Sequence, residues 1–308
     1  MRVRVLVNPI AGSGAGSRRL PAILHELERA GASADVAETR APGDAARLVR
    51  EAHEQGVTCV AVVGGDGTLN EACQAFVDAH GQRVEGPELA LIPAGTGGDF
   101  RRTFGLGTDV EGAVTRLVSC PPRPIDLGVV ELTAPDGSRI VRAFVNVTSF
   151  GLGGLTDRIV NASPKWLGGR AAFFLGALRA LLVYRNVPVR VTVDDQVFVE
   201  GPILNVALAN GRWFGGGMLV APDADPADGA FDVIAFEDLS RPQGVLMARH
   251  IYRGTHVGEP RVSTTRGRTI TAEPLASADE VLIDLDGETP GRLPLTARVI
   301  PGGVRIRI

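Results

Sequence analysis

The sequence predicts an α/β plus β fold, in which an N-terminal doubly wound α/β domain precedes a C-terminal antiparallel β-sandwich domain. The chain has 308 residues, of which 44% are hydrophobic, so it can build two sizeable cores. Strand-like and helix-like runs alternate in the first part, and strand-like runs dominate after the proline cluster PPRPIDLG at 121–128. We place the domains at 1–126 and 127–308. The sequence leaves open whether the last strand returns to the first domain.

Four strands and four helices alternate in the first domain. The second helix illustrates the pattern, because Ala45, Leu48 and Ala52 recur at helical spacing. Such alternation predicts a parallel sheet that is covered by helices on both faces. The predicted strands are Arg2–Val7, Ala34–Glu38, Cys59–Val63 and Leu89–Ile92, and the predicted helices are Arg18–Ala30, Asp44–Gln55, Thr68–Val77 and Val110–Val118.

Short strand-like segments dominate the second domain. Many of them alternate apolar and polar residues, which is typical of antiparallel strands with one face in a core. Two helices interrupt them, at Lys165–Tyr184 and Arg241–Tyr252. The predicted strands are Val129–Leu132, Val141–Thr148, Val189–Val193, Val197–Val199, Ile203–Ala209, Phe231–Phe236, Arg268–Ala272, Glu280–Leu285 and Val304–Ile308.

Charge, cysteine content and hydropathy exclude several classes of function. The formal net charge is −3 and acids and bases are interspersed, so nothing indicates a nucleic-acid partner. The three cysteines form no CxxC pair, and their odd number argues against a disulfide framework, so we expect a cytoplasmic protein. The N-terminus lacks a signal-peptide pattern, and the apolar run 171–183 is too short for a transmembrane segment. Peripheral contact with the inner membrane face stays open.

The chain contains a single lysine, Lys165, in the context SPKWLGG. A phosphate-binding P-loop requires GxxxxGK[ST], and a protein-kinase site requires a lysine on an early strand. Neither requirement is met here. Any phosphate chemistry therefore uses backbone amides, arginine or a metal ion.

Glycine-rich loops follow three of the predicted parallel strands, with the sequences NPIAGSGAG at 8–16, GGDGTLNE at 64–71 and PAGTGGDF at 93–100. In an open α/β sheet, ligands bind beyond the carboxyl ends of the strands, and amides at the following helix N-termini favour an anion. Asp66 repels phosphate unless a cation lies between them, so we expect Mg²⁺ there. One such loop alone is also compatible with an ordinary turn. A dinucleotide GxGxxG motif fits poorly, because Gly16 comes one position too early.

The segments GGDGTLNE and PAGTGGDF together resemble the catalytic domain of the diacylglycerol kinase family, which includes bacterial lipid kinases and the sphingosine and ceramide kinases. The resemblance runs nearly from end to end, and one departure is Gly98, where the family usually has asparagine. The further segments that carry it are VNPIAGSG at 7–14, Thr39 with Asp44 and Ala45, IDLG at 125–128, FGGGMLVAPDADPADGAFDV at 214–233 and LDGE at 285–288.

The resemblance implies a lipid kinase that transfers the γ-phosphate of ATP, with Mg²⁺, to a lipid hydroxyl; diacylglycerol is the expected substrate and phosphatidic acid the product. It implies that Asp66 coordinates the catalytic Mg²⁺ directly or through water, and that Glu288 is the general base. It also implies a structural Mg²⁺ at Asp225, Asp228 and the carbonyl of Ala230. The nucleotide-binding residues that it implies are Asn8, Thr39, Gly64, Gly65, Asp66, Gly67, Thr68, Leu69, Asn70, Glu71, Gly95 and Thr96.

Each of these roles has a plainer alternative. Asp66 also fits a turn aspartate that stabilises its own loop, and Glu288 fits a solvated turn glutamate in DGETPG. Asp225 and Asp228 also fit ordinary hairpin-turn chemistry. The apolar stretch 166–183 fits a core helix as well as a lipid entry.

Two other functions stay open. An NAD kinase shares GGDGT, but its TPTGSTAY-like segment has no counterpart here, and the nearest glycine-rich stretch is FGLGG at 150–154. A catalytically inactive nucleotide- or lipid-binding regulatory protein is suggested by Gly98 and opposed by the presence of Asp66 and Glu288. We expect a lipid substrate presented at a membrane surface. The sequence does not distinguish diacylglycerol from phosphatidylglycerol, sphingoid bases or ceramide, and a homodimer stays open.

Overall fold

The computed structural model describes residues 1–12, 14–95, 97–162 and 169–308, with the backbone alone for 169–174. Strands and helices alternate in the first part, as the sequence predicts. A short 3₁₀ turn at Gln74–Phe76 follows the third helix. The elements are β1 (Arg2–Val7), α1 (Ala15–Arg29), β2 (Ser33–Glu38), α2 (Asp44–Glu54), β3 (Cys59–Gly64), α3 (Asp66–Cys73), β4 (Glu88–Pro93), α4 (Asp99–Thr103) and α5 (Val110–Ser119).

The first part contains a parallel sheet in the order β2–β1–β3–β4. Successive side chains of a strand point to opposite faces, which divides the apolar residues into two cores. In β1, Val3 and Val5 pack with α1 and α5, whereas Leu6 packs with α2 and α3. Because both faces are covered, the ligand-accessible part of this sheet is its carboxyl edge, where the three glycine-rich loops emerge.

The second part is mainly β-structure, and its described residues include three helices. Two very short strands, β10 and β11, form a separate hairpin. The elements are β5 (Arg123–Thr133), β6 (Arg139–Phe144), β7 (Val147–Gly151), α6 (Leu152–Asn161), α7 (Gly169–Val183), β8 (Val187–Val193), β9 (Gln196–Ala209), β10 (Trp213–Phe214), β11 (Met218–Leu219), β12 (Phe231–Glu237), α8 (Arg241–Arg253), β13 (Val262–Gly267), β14 (Thr269–Pro274), β15 (Leu282–Leu285) and β16 (Glu288–Arg307).

The strands of the second part enclose a core because their pairings close into a ring. The ring runs β7–β15–β16–β14–β8–β9 and back to β7, and every one of these pairings is antiparallel. Its interior is apolar and includes Phe144 and Phe231, whose stacked ring centroids lie 5.3 Å apart. The predicted fold class, a doubly wound α/β part followed by an antiparallel sandwich, is confirmed.

The long strand β16 connects the two parts. Most of it pairs antiparallel with β5, and near its end Ile306 pairs in parallel with Leu89 of β4. Ile306 is fully buried in the core between the first sheet and its helices. The boundary between residues 126 and 127 stays a prediction, and β5 already begins at Arg123.

Some elements differ from the sequence predictions. Helix α3 begins at Asp66, two residues before the predicted start, and the predicted strand Val141–Thr148 is divided into β6 and β7. The elements α4, α6 and β13 were not predicted, and β16 begins at Glu288 instead of Val304. Among the described residues, no helix combines the length and apolarity needed to cross a bilayer.

Candidate active site

The three glycine-rich loops pack backbone against backbone at the carboxyl edge of the parallel sheet. A Cβ added to Gly95 would lie 2.5 Å from the Cα of Gly65, which is closer than real Cβ contacts. Gly12 has φ +55°, and a Cβ there would lie 2.1 Å from the carbonyl oxygen of Ala94. Only glycine permits these approaches. The loops therefore form one continuous surface of backbone.

Asp66 links the second and third loops. Its Oδ2 accepts hydrogen bonds from the backbone N–H groups of Gly98 (2.8 Å) and Asp99 (2.9 Å), and its Oδ1 accepts one from Phe100 (3.2 Å). These amides begin α4 and lack partners within the helix, so Asp66 caps α4 from outside. The carboxylate thus stabilises the neighbouring loop and not its own. Among the described residues, only the Phe100 N–H donates to Oδ1, which leaves a second acceptor position on this oxygen.

Asp99 is a site residue that the sequence reasoning missed. Its Oδ1 forms an ion pair with Arg102, and its Oδ2 accepts a hydrogen bond from the backbone N–H of Gly216 at 2.7 Å. Burial and the adjacent Asp66 carboxylate raise the pKa of Asp99, against the bonds from Gly216 and Arg102, which lower it. Gly216 belongs to the GGG segment of the second part, so Asp99 connects the two parts. The sequence signal for Asp99 was the aspartate near the end of PAGTGGDF.

Several predicted nucleotide-binding residues lie around the same edge. The Asn8 side chain donates to Thr68 Oγ1 at 3.2 Å, which joins the first loop to the second. Gly64 leaves room for Thr68, since a Cβ at Gly64 would lie 2.6 Å from it. Thr39 is buried at the end of β2, where its N–H donates to the carbonyl of Val7. Gly67 borders open space.

Three other predicted residues are engaged within the protein. Leu69 is fully buried in the core, so its side chain is unavailable to a ligand. Asn70 donates to Asp286 Oδ2 at 2.8 Å, and Glu71 accepts from the N–H of Ala45 at 3.0 Å, which caps α2. Thr96 lies outside the described residues.

Glu288 lies at the start of β16, across a pocket from the second glycine loop. The pocket is lined by Gly67, Asp286, Gly287 and Glu288, among others. The Glu288 side chain is exposed at this cleft, but the protein atoms around it and the Glu71 carboxylate raise its pKa. A carboxylate with a raised pKa is a better proton acceptor for an alcohol than an ordinary one.

Asp286, in the same turn, was also missed. Asp286 is half-buried, and its carboxylate accepts hydrogen bonds from the N–H groups of Val145 (3.0 Å) and Val147 (2.8 Å) and from Asn70 (2.8 Å). Desolvation by the surrounding protein raises the pKa of Asp286 to about 7, although these hydrogen bonds lower it. Asp286 therefore fastens the turn that carries Glu288 to α3. The segment LDGE was the signal, but only its glutamate was assigned.

A pocket of about 570 Å³ lies between the two parts. Asp66, Asp99 and Asp286 contribute to its lining, and most of the remaining surface is apolar. The apolar residues come mainly from α6, α7 and α8 and include Leu152, Val160, Leu178, Leu181, Met247 and Ile251. The pocket therefore joins an acidic, glycine-rich surface to a chamber suited to hydrocarbon.

The segment predicted to hold a structural metal forms a self-satisfied turn. Asp225 Oδ1 and Asp228 Oδ1 accept backbone hydrogen bonds from Ala227 and Ala230, both at 3.1 Å, and Asp228 Oδ2 pairs with Arg266. Among the described residues, no group of three or more acidic, histidine or cysteine side chains has metal-binding geometry. This donor set does not fit a bound Mg²⁺ without release of Arg266. The metal assignment stays a prediction.

Comparisons with known proteins agree with this geometry. Residues 2–130 match the family model of the diacylglycerol kinase catalytic domain, and residues 146–308 match that of the YegS C-terminal NAD kinase beta sandwich-like domain. The chain is similar to the diacylglycerol kinase of Mycobacterium tuberculosis strain H37Rv, with 29% identity over 99% of this chain and 94% of the relative. The diacylglycerol kinase of Bacillus subtilis strain 168 is 27% identical over 95% of this chain and 91% of the relative.

Solved structures show the same fold. A diacylglycerol kinase from Bacillus anthracis superimposes with a TM-score of 0.75 at 24% identity, over 99% of this chain and 96% of that one. Yeast NADH kinase complexed with NADH gives 0.51 at 13% identity, over 99% and 82%. The sandwich-domain model alone covers more than half of the chain, and the catalytic-domain model covers most of the rest. The chain therefore belongs to the diacylglycerol kinase family and is a kinase with an ATP-type phosphoryl donor.

Proposed function

We propose that the protein transfers the γ-phosphoryl group of ATP to the hydroxyl of a membrane lipid alcohol, and that diacylglycerol is this lipid. The observation that carries the proposal is the pocket of about 570 Å³, in which an apolar chamber meets Asp66 of the second loop and Gly97 and Asp99 of the third. A chamber of this kind suits a lipid whose hydroxyl points toward the loops. The names of the relatives in Mycobacterium tuberculosis and Bacillus subtilis support diacylglycerol.

In this proposal the phosphates of ATP lie against the backbone of the three loops. Gly67 borders open space at the first turn of α3, and the N-terminus of α1 follows the first loop. Helix N-termini and close-packed glycine backbone both favour phosphate. Asp66 keeps the second and third loops in register through its bonds to Gly98 and Asp99.

Mg²⁺ fits beside Asp66 and Asp99. Asp66 keeps an open acceptor position, and its charge raises the pKa of Asp99, so a cation near both relieves their repulsion. Mg²⁺ prefers oxygen ligands and retains several waters, which suits two carboxylates whose other positions are occupied by hydrogen bonds. When bound, the ion supplies charge neutralisation for the phosphoryl group.

Glu288 accepts the proton of the lipid hydroxyl as the new P–O bond forms. The raised pKa of Glu288 and its position opposite Gly67 support this role. The bond between the β- and γ-phosphates breaks in the same step, and ADP leaves with the electron pair.

The experiment measures transfer from labelled ATP with Mg²⁺ into mixed micelles of diacylglycerol, phosphatidylglycerol, a sphingoid base or ceramide, with NAD as a soluble acceptor. We expect labelled phosphatidic acid, and a loss of about a hundredfold or more in Glu288→Gln. Glu273→Gln is the control, because Glu273 is an exposed glutamate on β14. Label in NADP would establish the NAD kinase instead. ATP binding without transfer would indicate the regulatory protein.

We also infer that a bilayer covers the mouth of the pocket, between α7 and α8. Leu178, Val245 and Tyr252 line the pocket and are also solvent-exposed, which locates the mouth. Leu175, Leu182, Val183 and Leu246 on the same helices are exposed as well. The two helices contain no acidic residue, although the chain is acidic overall, and their arginines with described side chains are Arg179, Arg241, Arg249 and Arg253.

This combination suits an anionic bilayer, because apolar side chains enter the interface while arginines meet lipid phosphates. Cosedimentation with phosphatidylcholine vesicles, with and without phosphatidylglycerol, tests it. We expect binding to the anionic vesicles that weakens with salt and is reduced in Leu182→Glu. Val197→Glu is the matched control, because Val197 on β9 is 60% exposed and Leu182 is 58% exposed. Equal binding by the two variants would contradict this docking surface.

A further inference from the structure

Two buried acidic residues lie in the pocket wall and have no part in the roles assigned above. Asp157 lies on α6 and Asp284 on β15, each is 6% exposed, and both line the pocket. Helix α6 packs against β15, and this packing brings the two buried carboxyl groups together. Two ionised carboxylates cannot hydrogen-bond to each other, since each is an acceptor only. A hydrogen bond between the two groups therefore requires one shared proton.

The surroundings indicate where this proton lies. Asp284 already accepts from Ser149 Oγ at 3.1 Å and from the backbone N–H of Gly287 at 2.9 Å. Burial and the charge of Asp284 raise the pKa of Asp157, while the bond from Asp157 lowers that of Asp284 against its own burial. Asp157 is thus the acid, and Asp284 is the carboxylate.

Among the described residues, no positively charged side chain forms an ion pair with Asp157 or Asp284 that could neutralise the pair in place of this proton. The neighbouring β7 and β9 present uncharged groups, Ser149 and Asn205. Asp286 follows two positions after Asp284 and is itself acidic. The other charged side chains on the elements packed against α6 and β15 include Arg158, which pairs with Glu280, the exposed Arg179, Glu200, Glu288 and Arg292.

Without a shared proton, the pair would destabilise the fold. Asp157 Oδ2 is buried and has no other hydrogen-bond partner among the described residues, and an unsatisfied buried carboxyl oxygen is unfavourable. Asp284, in turn, is the group that holds Gly287, which has φ +92° between Asp286 and Glu288. The pair thus connects α6 to the turn that carries the proposed base.

We propose that Asp157 is a positioning residue for phosphoryl transfer: it shares one proton with Asp284, and the pair fixes the Asp286–Gly287 turn that aims Glu288 at the lipid hydroxyl. The inference rests on the role proposed for Glu288. It assigns Asp157 no contact with the reacting atoms. Its effect passes through the Asp284 carboxylate and the N–H of Gly287.

Two substitutions separate this role from simple packing. In Asp157→Asn, the amide donates permanently to Asp284, so the pair survives without a titratable proton. In Asp157→Leu, the side chain at position 157 can no longer donate a hydrogen bond to Asp284, so the buried Asp284 charge loses this partner. We expect Asp157→Asn to retain kcat at neutral pH, and Asp157→Leu to lose about a hundredfold in kcat with little change in the KM for ATP.

The raised pKa of Asp157 predicts the direction in which kcat changes with pH. This raised pKa means that the shared proton is present below the folded-state pKa and is lost as pH rises through it. We expect the wild-type kcat to fall on the alkaline side, and Asp157→Asn to lack that fall. Asp195→Asn, at an exposed turn, is the control and should follow the wild type.

Two readouts do not depend on kinase activity. Above pH 3.8, the ordinary pKa of an aspartic acid, the infrared difference between wild type and Asp157→Asn should still contain the band of a protonated carboxylic acid. Hydrogen exchange at 284–288 should accelerate in Asp157→Leu and not in Asp157→Asn. Absence of the band, or equal exchange in both variants, would overturn the proposal. If the wild type phosphorylates no lipid, the proposed function fails, while these two readouts still decide whether the pair fixes the turn.

Discussion

At the scale of the residue, Asp66 has a structural contribution and a proposed chemical one, and a matched substitution separates them. Its carboxylate caps the first amides of α4. Asp109 does the same for α5, where its side chain accepts from the N–H of Gly112 at 2.6 Å, away from the pocket. The two aspartates therefore differ mainly in what lies beside them.

We predict that Asp66→Ala and Asp109→Ala each lower the free energy of unfolding by about 1 kcal/mol, the usual loss for a helix cap. Phosphate transfer should fall sharply only in Asp66→Ala, because only Asp66 lies beside the proposed phosphate and Mg²⁺ positions. Urea unfolding and the labelled-ATP assay measure the two effects. Equal activity in both variants would leave Asp66 a purely structural cap.

Contacts between distant positions of the chain are not visible in a local sequence pattern. The motif GGDGT identified Asp66, because a carboxylate in a glycine-rich phosphate loop repels the phosphate unless a cation lies between them. The capping bonds of Asp66 depend on the amides of Gly98 and Asp99, thirty or more positions away, and no local pattern reveals them. Asp99 and Asp286 were missed because each has a contact that joins the two halves of the chain, with Gly216 and Asn70 respectively.

At the scale of the element, glycine spacing sets how closely the loops approach. Gly95 lies against the backbone of Gly65, whereas a Cβ on Gly67 would meet nothing within 4 Å. We predict that Gly95→Ala lowers the free energy of unfolding by about 1–3 kcal/mol through overpacking and also weakens ATP binding. Gly67→Ala should leave stability nearly unchanged and weaken ATP binding alone, because its methyl group occupies the phosphate space.

Urea unfolding and calorimetric titration with ATP test this pair. If Gly67→Ala binds ATP like the wild type, the phosphates do not lie against the second loop. If Gly95→Ala is as stable as the wild type, the loops separate without cost. Either result would contradict the packing argument for the glycine loops.

Elements were predictable where their pattern is local. The four parallel strands and the helices α1, α2 and α5 have clear apolar periodicity, and they occur at or within a few residues of the predicted positions. Helix α6 was missed because LGGLTDRIVN begins like a glycine loop, and its stability comes from packing against α7 and β15. The prediction made strand β16 too short because its prolines, Pro290, Pro294 and Pro301, disfavour a continuous strand. In the structure, pairing with β5 holds most of the segment in a strand.

At the scale of the whole molecule, the end of β16 makes the first sheet depend on the second part. Ile306 pairs beside β4 and is fully buried in a core with Ile125 and Leu127 from β5 and Leu89 from β4. Arg307 adds an ion pair with Glu88 at 2.7 Å. Asp99 with Gly216 and Asn70 with Asp286 join the same two parts at the pocket.

We predict that these links make the two parts unfold together. Ile306→Ala should lower the free energy of unfolding by about 2–5 kcal/mol, as for other large-to-small changes in a core. Ile308→Ala, at the less buried end of the chain, should lower it far less. Hydrogen exchange of β3 and β12 in increasing denaturant reports on one part each. In Ile306→Ala both strands should lose protection at the same lower denaturant concentration; if β3 opens earlier than β12, the first sheet folds as a separate unit and β16 does not couple it to the sandwich.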